Sequence, residues 1–224
     1  MKSKRILVVA PHPDDETLGC GGTLLRHKAE GDEIHWLIMT TLTEQAGYKQ
    51  EQIDARKREI DDVTKQYAFS SVHQAEFATT MLDLAANKDL VDEVSKVVAR
   101  VKPDTIYTPF RNDVHSDHKA VFDAVAACTK VFRYPYVRRV RAYETLSETE
   151  FSLRGNETGF SPNLWVDISD YLDEKVEIMK LFRNEMGVSP FPRSESAIRA
   201  LAAFRGGVAG VIAAESFVSL KEIV

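Results

Sequence analysis

A repeated pattern of a short apolar run, a polar loop and a helix limits the folds that this chain can adopt. The first apolar run, Arg5 to Ala10, reads RILVVA, and a polar loop from Pro11 to Glu16 follows it directly. A helix is predicted from Thr17 to Gly31 and a second strand from Ile34 to Thr40. Runs of β-branched apolar residues are typical of parallel strands buried on both faces. The pattern therefore predicts a β-α-β unit with a right-handed crossover.

The alternation continues beyond this unit. Further helices are predicted at 51–67, 87–101 and 118–132, and further strands at 72–77 and 104–108. After residue 133 the pattern loosens, with strands at 137–144 and 164–168, a helix from Ser169 to about 184, and another from Ser194 to about 204. We expect residues 1–224 to form a single α/β domain with a doubly wound, mostly parallel, Rossmann-like sheet flanked by helices. Such sheets bind ligands at the carboxyl ends of their strands.

Composition excludes several classes of partner. A net charge of -5 provides no global attraction for nucleic acid or an anionic membrane surface. No apolar run approaches the roughly 18 residues of a spanning helix. The apolar run at 6–10 ends before Pro11, and a run of this length is too short for a secretory signal. Cys20 and Cys128 fall within predicted helices, so we expect no disulfide or thiolate zinc site, and a cytoplasmic location.

Metal-capable side chains are concentrated in two loops that follow predicted strands. The first loop reads His-Pro-Asp-Asp-Glu at 12–16, and the second reads His-Ser-Asp-His at 115–118. Imidazole and carboxylate suit Zn²⁺, whose catalytic sites use three protein ligands and one open position. The adjacent carboxylates of Asp14 and Asp15 point in different directions, so one can bind metal while the other acts as general base.

Each loop taken alone also has a simpler interpretation. His12 fits a turn beside proline, and the acids at 14–16 fit the first turn of a helix, where they complement its dipole. His115 and His118 fit a solvated pair, with Asp117 as a helix cap. The occurrence of two such loops at equivalent strand ends favours the metal site.

Together the two loops resemble the two signatures of the PIG-L/LmbE-like deacetylase family, whose members remove acetyl groups from amino-sugar conjugates. The resemblance implies three metal ligands, which are His12, Asp15 and His118. It implies that Asp14 is the general base, that a protonated His115 stabilises the oxyanion, and that Asp117 orients a histidine. We expect one Zn²⁺ per chain, although spacing does not distinguish Zn²⁺ from Fe²⁺ or Mn²⁺. The resemblance also allows a homo-oligomer.

Residues that contact the sugar are predicted from weaker signals. Arg56, one helical turn from Glu59, resembles a family arginine that reaches sugar hydroxyls, and a plain salt bridge is the alternative. Asp83 resembles a family aspartate that binds hydroxyls, and equally fits a helix cap. Arg139 and Arg141 belong to a basic segment at 130–141, which is either a solvated edge or a site for a phosphate or carboxylate. The expected partner is therefore a small amino-sugar conjugate that can be anionic.

The sequence has two alternatives to deacetylation. The acids at 14–16 resemble the cluster of a phosphorylatable receiver domain, but Pro11-His12-Pro13 and the chain length oppose that interpretation. Hydrolysis of another amide or of a phosphoester would use the same metal and carboxylates. Two-metal phosphatases need more ligands than the two loops offer, which favours the deacetylase.

Overall fold

The computed structural model describes residues 3–153 and 159–224. Within these residues one sheet contains seven strands: β1 (Arg5–Ala10), β2 (Glu33–Thr41), β3 (Ser71–Ala78), β4 (Thr105–Pro109), β5 (Arg139–Tyr143), β6 (Leu164–Asp167) and β7 (Ala214–Glu222). The helices are α1 (Asp15–Glu30), α2 (Gln50–Tyr67), α3 (Asn87–Val101), α4 (Ser116–Ala127), α5 (Leu172–Met179) and α6 (Glu195–Ala209). Short 3-10 turns cover Glu44–Ala46 and Leu82–Leu84.

The sheet has the strand order β3-β2-β1-β4-β5-β7-β6. The strands from β3 to β5 in this order pair in parallel, whereas β7 is antiparallel to both β5 and β6. This is the predicted α/β fold with a mostly parallel sheet. The chain order reverses between β1 and β4, and a crevice opens there at the carboxyl ends of the strands.

Both faces of the sheet are covered, which explains the continuous apolar sequence of β1. Ile6 and Val8 pack into a cluster on one face with residues of α1, α2 and α5, while Leu7 and Val9 pack on the other with residues of α3 and α4. All four side chains are completely buried. Each such burial contributes about 1.5–3 kcal/mol to folding.

Two glycines let α1 lie very close to its neighbours. A Cβ atom at Gly19 would overlap the ring of Tyr143, and one at Gly22 would lie 2.7 Å from Cγ2 of Ile168. The hydroxyl of Tyr143 donates a hydrogen bond to the backbone oxygen of Val9 at 2.9 Å. These glycines therefore allow α1 to pack close to β5 and to the residue that follows β6.

The sequence-based boundaries differ from the structure mainly in the second half. Helix α4 ends at Ala127 rather than near 132, because 130–137 form successive turns around Pro135. Ser169 does not cap α5, since its hydroxyl donates to Asp167 at 2.6 Å and the helix begins at Leu172. Strand β7 was not predicted at all.

Among the residues that the structure describes, no helix combines the length and apolar character needed to cross a membrane.

Candidate metal and catalytic centre

The first loop of the site turns sharply between β1 and α1. The carboxylate of Asp15 accepts a hydrogen bond from the backbone nitrogen of His12 at 2.9 Å. Asp14 stands before the helix with φ of 140°, a conformation that non-glycine residues rarely adopt. Its backbone oxygen accepts from the nitrogens of Thr17 and Leu18, so α1 begins at once. This turn holds His12, Asp14 and Asp15 together at the end of β1.

The second loop follows β4, the parallel neighbour of β1, so both loops lie at the same edge of the sheet. His115 is the residue before α4, and Asp117 and His118 occupy the first turn of that helix. Asp117 and His118 are completely buried. The topology therefore brings the two predicted signatures together.

His12, Asp15 and His118 offer three ligand atoms that lie within 4.8 Å of one another. Nδ1 of His12 lies 3.2 Å from Oδ2 of Asp15, and Nε2 of His118 lies 3.4 Å from Oδ1 of Asp15. Ligands that are about 2.1 Å from a tetrahedral zinc ion lie about 3.4 Å apart. The spacing of these donors fits one such ion.

The environment of His118 gives a second indication that the site fits a metal ion. Its Nε2 atom is buried and has no hydrogen-bond partner among the described residues. Buried polar atoms are rarely left unpaired. This atom points at Asp15, which also lies beside His12, so a cation held between the three donors would satisfy it.

Asp113 is a site residue that the sequence analysis missed. Its carboxylate is completely buried and accepts a hydrogen bond from Nδ1 of His118 at 2.7 Å. Its other oxygen accepts from the hydroxyl of Thr149 at 2.7 Å. Burial is the largest cause that raises the pKa of Asp113, against the lowering effect of His118. The signal available in the sequence was an acid five residues before a predicted ligand, which spacing alone does not separate from a loop residue.

Asp117 holds the ring of His12 as Asp113 holds the ring of His118. Its Oδ2 atom lies 3.0 Å from Nε2 of His12. It also accepts hydrogen bonds from the backbone nitrogens of Thr80 at 2.8 Å and Leu82 at 3.0 Å, which fix the carboxylate. With Nε2 engaged by Asp117, Nδ1 of His12 is left facing Asp15.

His115 is held in a defined tautomer. Its Nδ1 atom accepts the backbone N–H of Asp117 at 3.1 Å, which leaves the ring proton on Nε2 when the ring is neutral. Burial, followed by the charges of His12 and His118, lowers the pKa of His115 below its ordinary value. These contacts favour a neutral donor, in contrast to the protonated imidazole expected from the sequence.

The ionisation of the ligands reflects their mutual contacts. Burial opposes charge on Asp15, but contacts with His118 and His12 outweigh it and lower the pKa of Asp15. Burial likewise opposes charge on His12, yet its hydrogen bonds to Asp117 and Asp15 raise its pKa to about 9. The pKa of Asp14 is raised well above its ordinary value, first by burial and then by the charges of Asp15 and Glu185.

A polar cavity of about 280 Å³ opens beside these residues. His12, Asp14, Asp15 and His115 line its inner end, and Arg56 lines one wall from α2. Its remaining lining is Pro13, Thr40, Thr41, Leu42, Tyr48, Gln52, Ala55, Glu59, Gln74, Thr79, Thr80, Glu148, Asn184, Glu185 and Arg193. Many of these side chains are suited to binding hydroxyl groups.

Three other residues predicted to bind substrate lie elsewhere. Asp83 is exposed in the 3-10 turn after β3 and does not line the cavity. Arg139 is in the first position of β5, at the opposite end of the sheet, where its Nε lies 2.7 Å from Glu222. Arg141 donates to the hydroxyl of Tyr107 at 3.1 Å. The structure does not bring these two arginines to the cavity, because β5 runs parallel to β1 and only its carboxyl end faces the site.

Comparison with known proteins finds relatives that are named as deacetylases. The chain is 23% identical over 220 residues to the diacetylchitobiose deacetylase of Thermococcus kodakarensis, covering 92% of this chain and 79% of that protein. It is 30% identical over 152 residues to an uncharacterised deacetylase, YaiS, of Escherichia coli, covering 65% and 76% of the two chains. The crystal structure of a conserved protein from Thermus thermophilus superposes with a TM-score of 0.79 at 27% identity, covering 99% of this chain and 96% of that one.

The family model described as "PIG-L: GlcNAc-PI de-N-acetylase" matches residues 7–129, a segment that contains both loops of the site. The match covers more than half of the 224 residues. On this evidence the chain belongs to the PIG-L family.

Proposed function

We propose that this protein is a metal-dependent deacetylase that hydrolyses the N-acetyl amide of a small amino-sugar conjugate. The observation that carries the proposal is the meeting of His12, Asp15 and His118 beside Asp14, at the inner end of a polar cavity. Membership of the PIG-L family and similarity to a diacetylchitobiose deacetylase support the same reaction.

His12, Asp15 and His118 would hold one divalent ion, with zinc as the first candidate because two imidazoles and a carboxylate suit it. When bound, the ion supplies Lewis-acid activation of water and of the amide carbonyl. Asp117 and Asp113 hold the two imidazoles in the orientation that this set requires.

Asp14 is the proposed general base. It is buried at the inner end of the cavity, and the backbone turn before α1 fixes its position. It would accept a proton from the attacking water and return it to the leaving amine, which must be protonated before it departs. A raised pKa suits a carboxyl group that has to carry this proton between the two steps.

His115 would donate a hydrogen bond from Nε2 to the carbonyl oxygen as negative charge develops on it. The acceptor contact of Nδ1 with the backbone nitrogen of Asp117 fixes the proton on the other nitrogen. A preorganised donor of this kind contributes about 10²–10³ in rate.

The experiment is acetate release from N,N'-diacetylchitobiose before and after metal removal with a chelator. The metal-free protein should be inactive, and Zn²⁺, Fe²⁺ or Mn²⁺ added separately should identify the ion that restores activity. Retention of full activity in metal-free protein would contradict the proposal. The cytoplasmic location and the homo-oligomer expected from the sequence stay predictions.

A further inference from the structure

The two arginines of the cavity are already occupied by protein groups. Arg56 donates from Nη1 to the backbone oxygen of Pro13 at 3.0 Å, forms an ion pair through Nη2 with Glu185, and lies 3.4 Å from Glu59 through Nε. Its three guanidinium nitrogens are therefore all directed at protein acceptors. An incoming phosphate or carboxylate would have to displace one of these contacts.

Arg193 is engaged in the same way. Its Nε donates to the backbone oxygen of Glu185 at 2.8 Å and its Nη2 to the carboxylate of Glu185 at 3.2 Å. Its Nη1 donates to the hydroxyl of Ser147 at 3.3 Å. One acid, Glu185, thus bridges both arginines. Among the described residues that line the cavity, these are the two lysine or arginine side chains.

Carboxylates outnumber guanidinium groups in the cavity lining. The acids of the lining are Asp14, Asp15, Glu59, Glu148 and Glu185. Glu59 and Glu185 pair with Arg56, and Asp15 belongs to the proposed metal site. Asp14 is the proposed base. Glu148 is the remaining acid, and it has no role in the site described so far.

Glu148 is half-buried in the cavity wall. Within residues 3–153 and 159–224, its carboxylate forms no hydrogen bond or ion pair. Its backbone oxygen accepts from the nitrogen of Val114 at 3.2 Å, which ties it to the residue before His115. Burial is the largest cause that raises the pKa of Glu148, and the charges of His118 and, to a smaller extent, Arg193 only partly offset it. A partly buried carboxylate without a partner favours a ligand that donates hydrogen bonds.

We propose that Glu148 is a specificity-determining residue that selects conjugates carrying a hydroxyl or ammonium group beside the scissile N-acetyl sugar, and disfavours those carrying a carboxylate or phosphate there. This inference rests on the proposed function, which places the scissile N-acetyl group at the inner end of the cavity. It replaces the anionic partner that the basic segment at 130–141 suggested, since Arg139 and Arg141 lie away from the cavity.

Three disaccharides of nearly equal size test the proposal, each with N-acetylglucosamine at the non-reducing end. The second sugar is N-acetylglucosamine, glucosamine or glucuronic acid, and is therefore neutral, cationic or anionic. With zinc-loaded wild type, the anionic disaccharide should have kcat/KM about tenfold below the neutral one, and the cationic one should equal or exceed the neutral one. Glu148→Gln should raise KM for the cationic disaccharide about tenfold, because a charged hydrogen bond is replaced by a neutral one. It should change KM for the neutral one less than about threefold, with kcat unaltered.

Glu148→Lys should reverse the preference between the cationic and anionic disaccharides. Glu150→Gln is the matched control, because Glu150 is exposed in the same loop and does not line the cavity, and it should leave all three KM values unchanged. Equal use of the anionic and neutral disaccharides by wild type, or a fall in kcat for all three with Glu148→Gln, would overturn the proposal.

Binding separates this inference from the proposed function. Dissociation constants of the three disaccharides are measured by calorimetry with zinc-loaded Asp14→Asn, which should not turn over. The predicted order of affinities without acetate release from wild type would support the role of Glu148 and contradict the deacetylase. Acetate release with no difference in affinity between the three would contradict the role of Glu148 alone.

Discussion

Nδ1 of His118 lies 2.7 Å from Oδ2 of Asp113, and this contact directs Nε2 of the same ring at Asp15, 3.4 Å away. Because a buried carboxylate holds the imidazole, the orientation of a proposed ligand is set before any ion binds. Thr149 anchors the other carboxylate oxygen, so the loop after β5 supports the site indirectly. By holding His118 in this orientation, Asp113 would raise the affinity of the site for a metal ion without contacting the ion itself.

The first prediction concerns this support. Asp113→Ala should weaken zinc binding about 10- to 100-fold, because the ring of His118 loses its fixed orientation. Asp113→Asn keeps an acceptor and should fall between Ala and wild type. Competition with a chromophoric chelator measures the dissociation constants. Asp123→Ala is the control. Asp123 is half-exposed, lies on α4 like His118, and pairs with Arg111, so its loss should leave zinc binding as in wild type. Equal affinity in all variants would show that Asp113 does not orient the ligand.

The second prediction concerns the backbone of Asp14. At φ of 140°, a side chain costs about 1–3 kcal/mol in strain, whereas glycine adopts this region freely. Glycine also gives the unfolded chain more conformational entropy, which offsets part of this gain. Asp14→Gly should therefore be more stable than Asp14→Ala by about 1 kcal/mol. Both variants lack the carboxylate and should be inactive. Urea unfolding measures the difference, and equal stability would argue against strain at this turn.

The third prediction is a pH dependence of stability that arises from His27. Burial is the largest cause that lowers the pKa of His27 below 6.5, and it exceeds the raising effect of Asp32. The folded protein thus binds this proton less readily than the unfolded chain. The contribution of His27 to stability is complete above about pH 6.5 and declines as the pH falls towards the lower folded-state pKa.

Comparison with His27→Gln isolates this effect from the other histidines. The free energy of unfolding of wild type minus that of the variant should shrink as the pH is lowered from about 8 to about 5. Denaturant titrations at several pH values give this difference. A difference that stays constant or grows towards low pH would contradict the sign predicted here.

The fourth prediction concerns a buried ion pair behind the site. Nζ of Lys175 lies 2.7 Å from Glu215, and the two side chains are 5% and 4% exposed. The carboxylate also accepts from the backbone nitrogens of Gly22 and Thr23 at 2.9 and 2.8 Å, so it fastens α1 to β7. Lys175→Met should destabilise the fold by about 3–5 kcal/mol, because a buried charge is left without its partner.

Adding Glu215→Gln to Lys175→Met should recover part of that loss, because the unpaired charge is removed. The exposed pair of Lys28 and Glu174 supplies the control, and Lys28→Met should change stability by less than about 0.5 kcal/mol. Thermal and urea unfolding measure both. A loss in Lys175→Met no larger than in the control would mean that the buried pair contributes little.

The first half of the fold could be predicted because its signals are local. An uninterrupted apolar run identified β1, and helix α3 begins and ends where the periodicity of its valines and leucine indicated. Strand β7 was missed because it is antiparallel and because the residues beyond its first four positions are intermediate or exposed, which leaves no clear apolar pattern there. Its pairing with β5 depends on contacts between distant parts of the chain, which no short window contains.

The same distinction applies to the site. The two loops could be recognised as a metal site from the sequence because His12 and Asp15, and likewise Asp117 and His118, are close together in the chain. Glu185 and Arg193 could not be assigned, since their neighbour Arg56 is about half the chain away and only folding brings them together. Arg139 and Arg141 show the limit of local charge as a signal, because the basic segment fitted either an anion site or a solvated edge, and the structure pairs both arginines with Glu222.

Zinc content and acetate release from N,N'-diacetylchitobiose, measured together for wild type, His118→Ala and Asp14→Asn, test whether the protein is a metal-dependent deacetylase. We predict about one zinc ion per chain and acetate release in wild type. His118→Ala should lose both, and Asp14→Asn should keep zinc while its kcat falls at least about 100-fold. Zinc binding that survives in His118→Ala, or activity that survives in Asp14→Asn, would contradict the account.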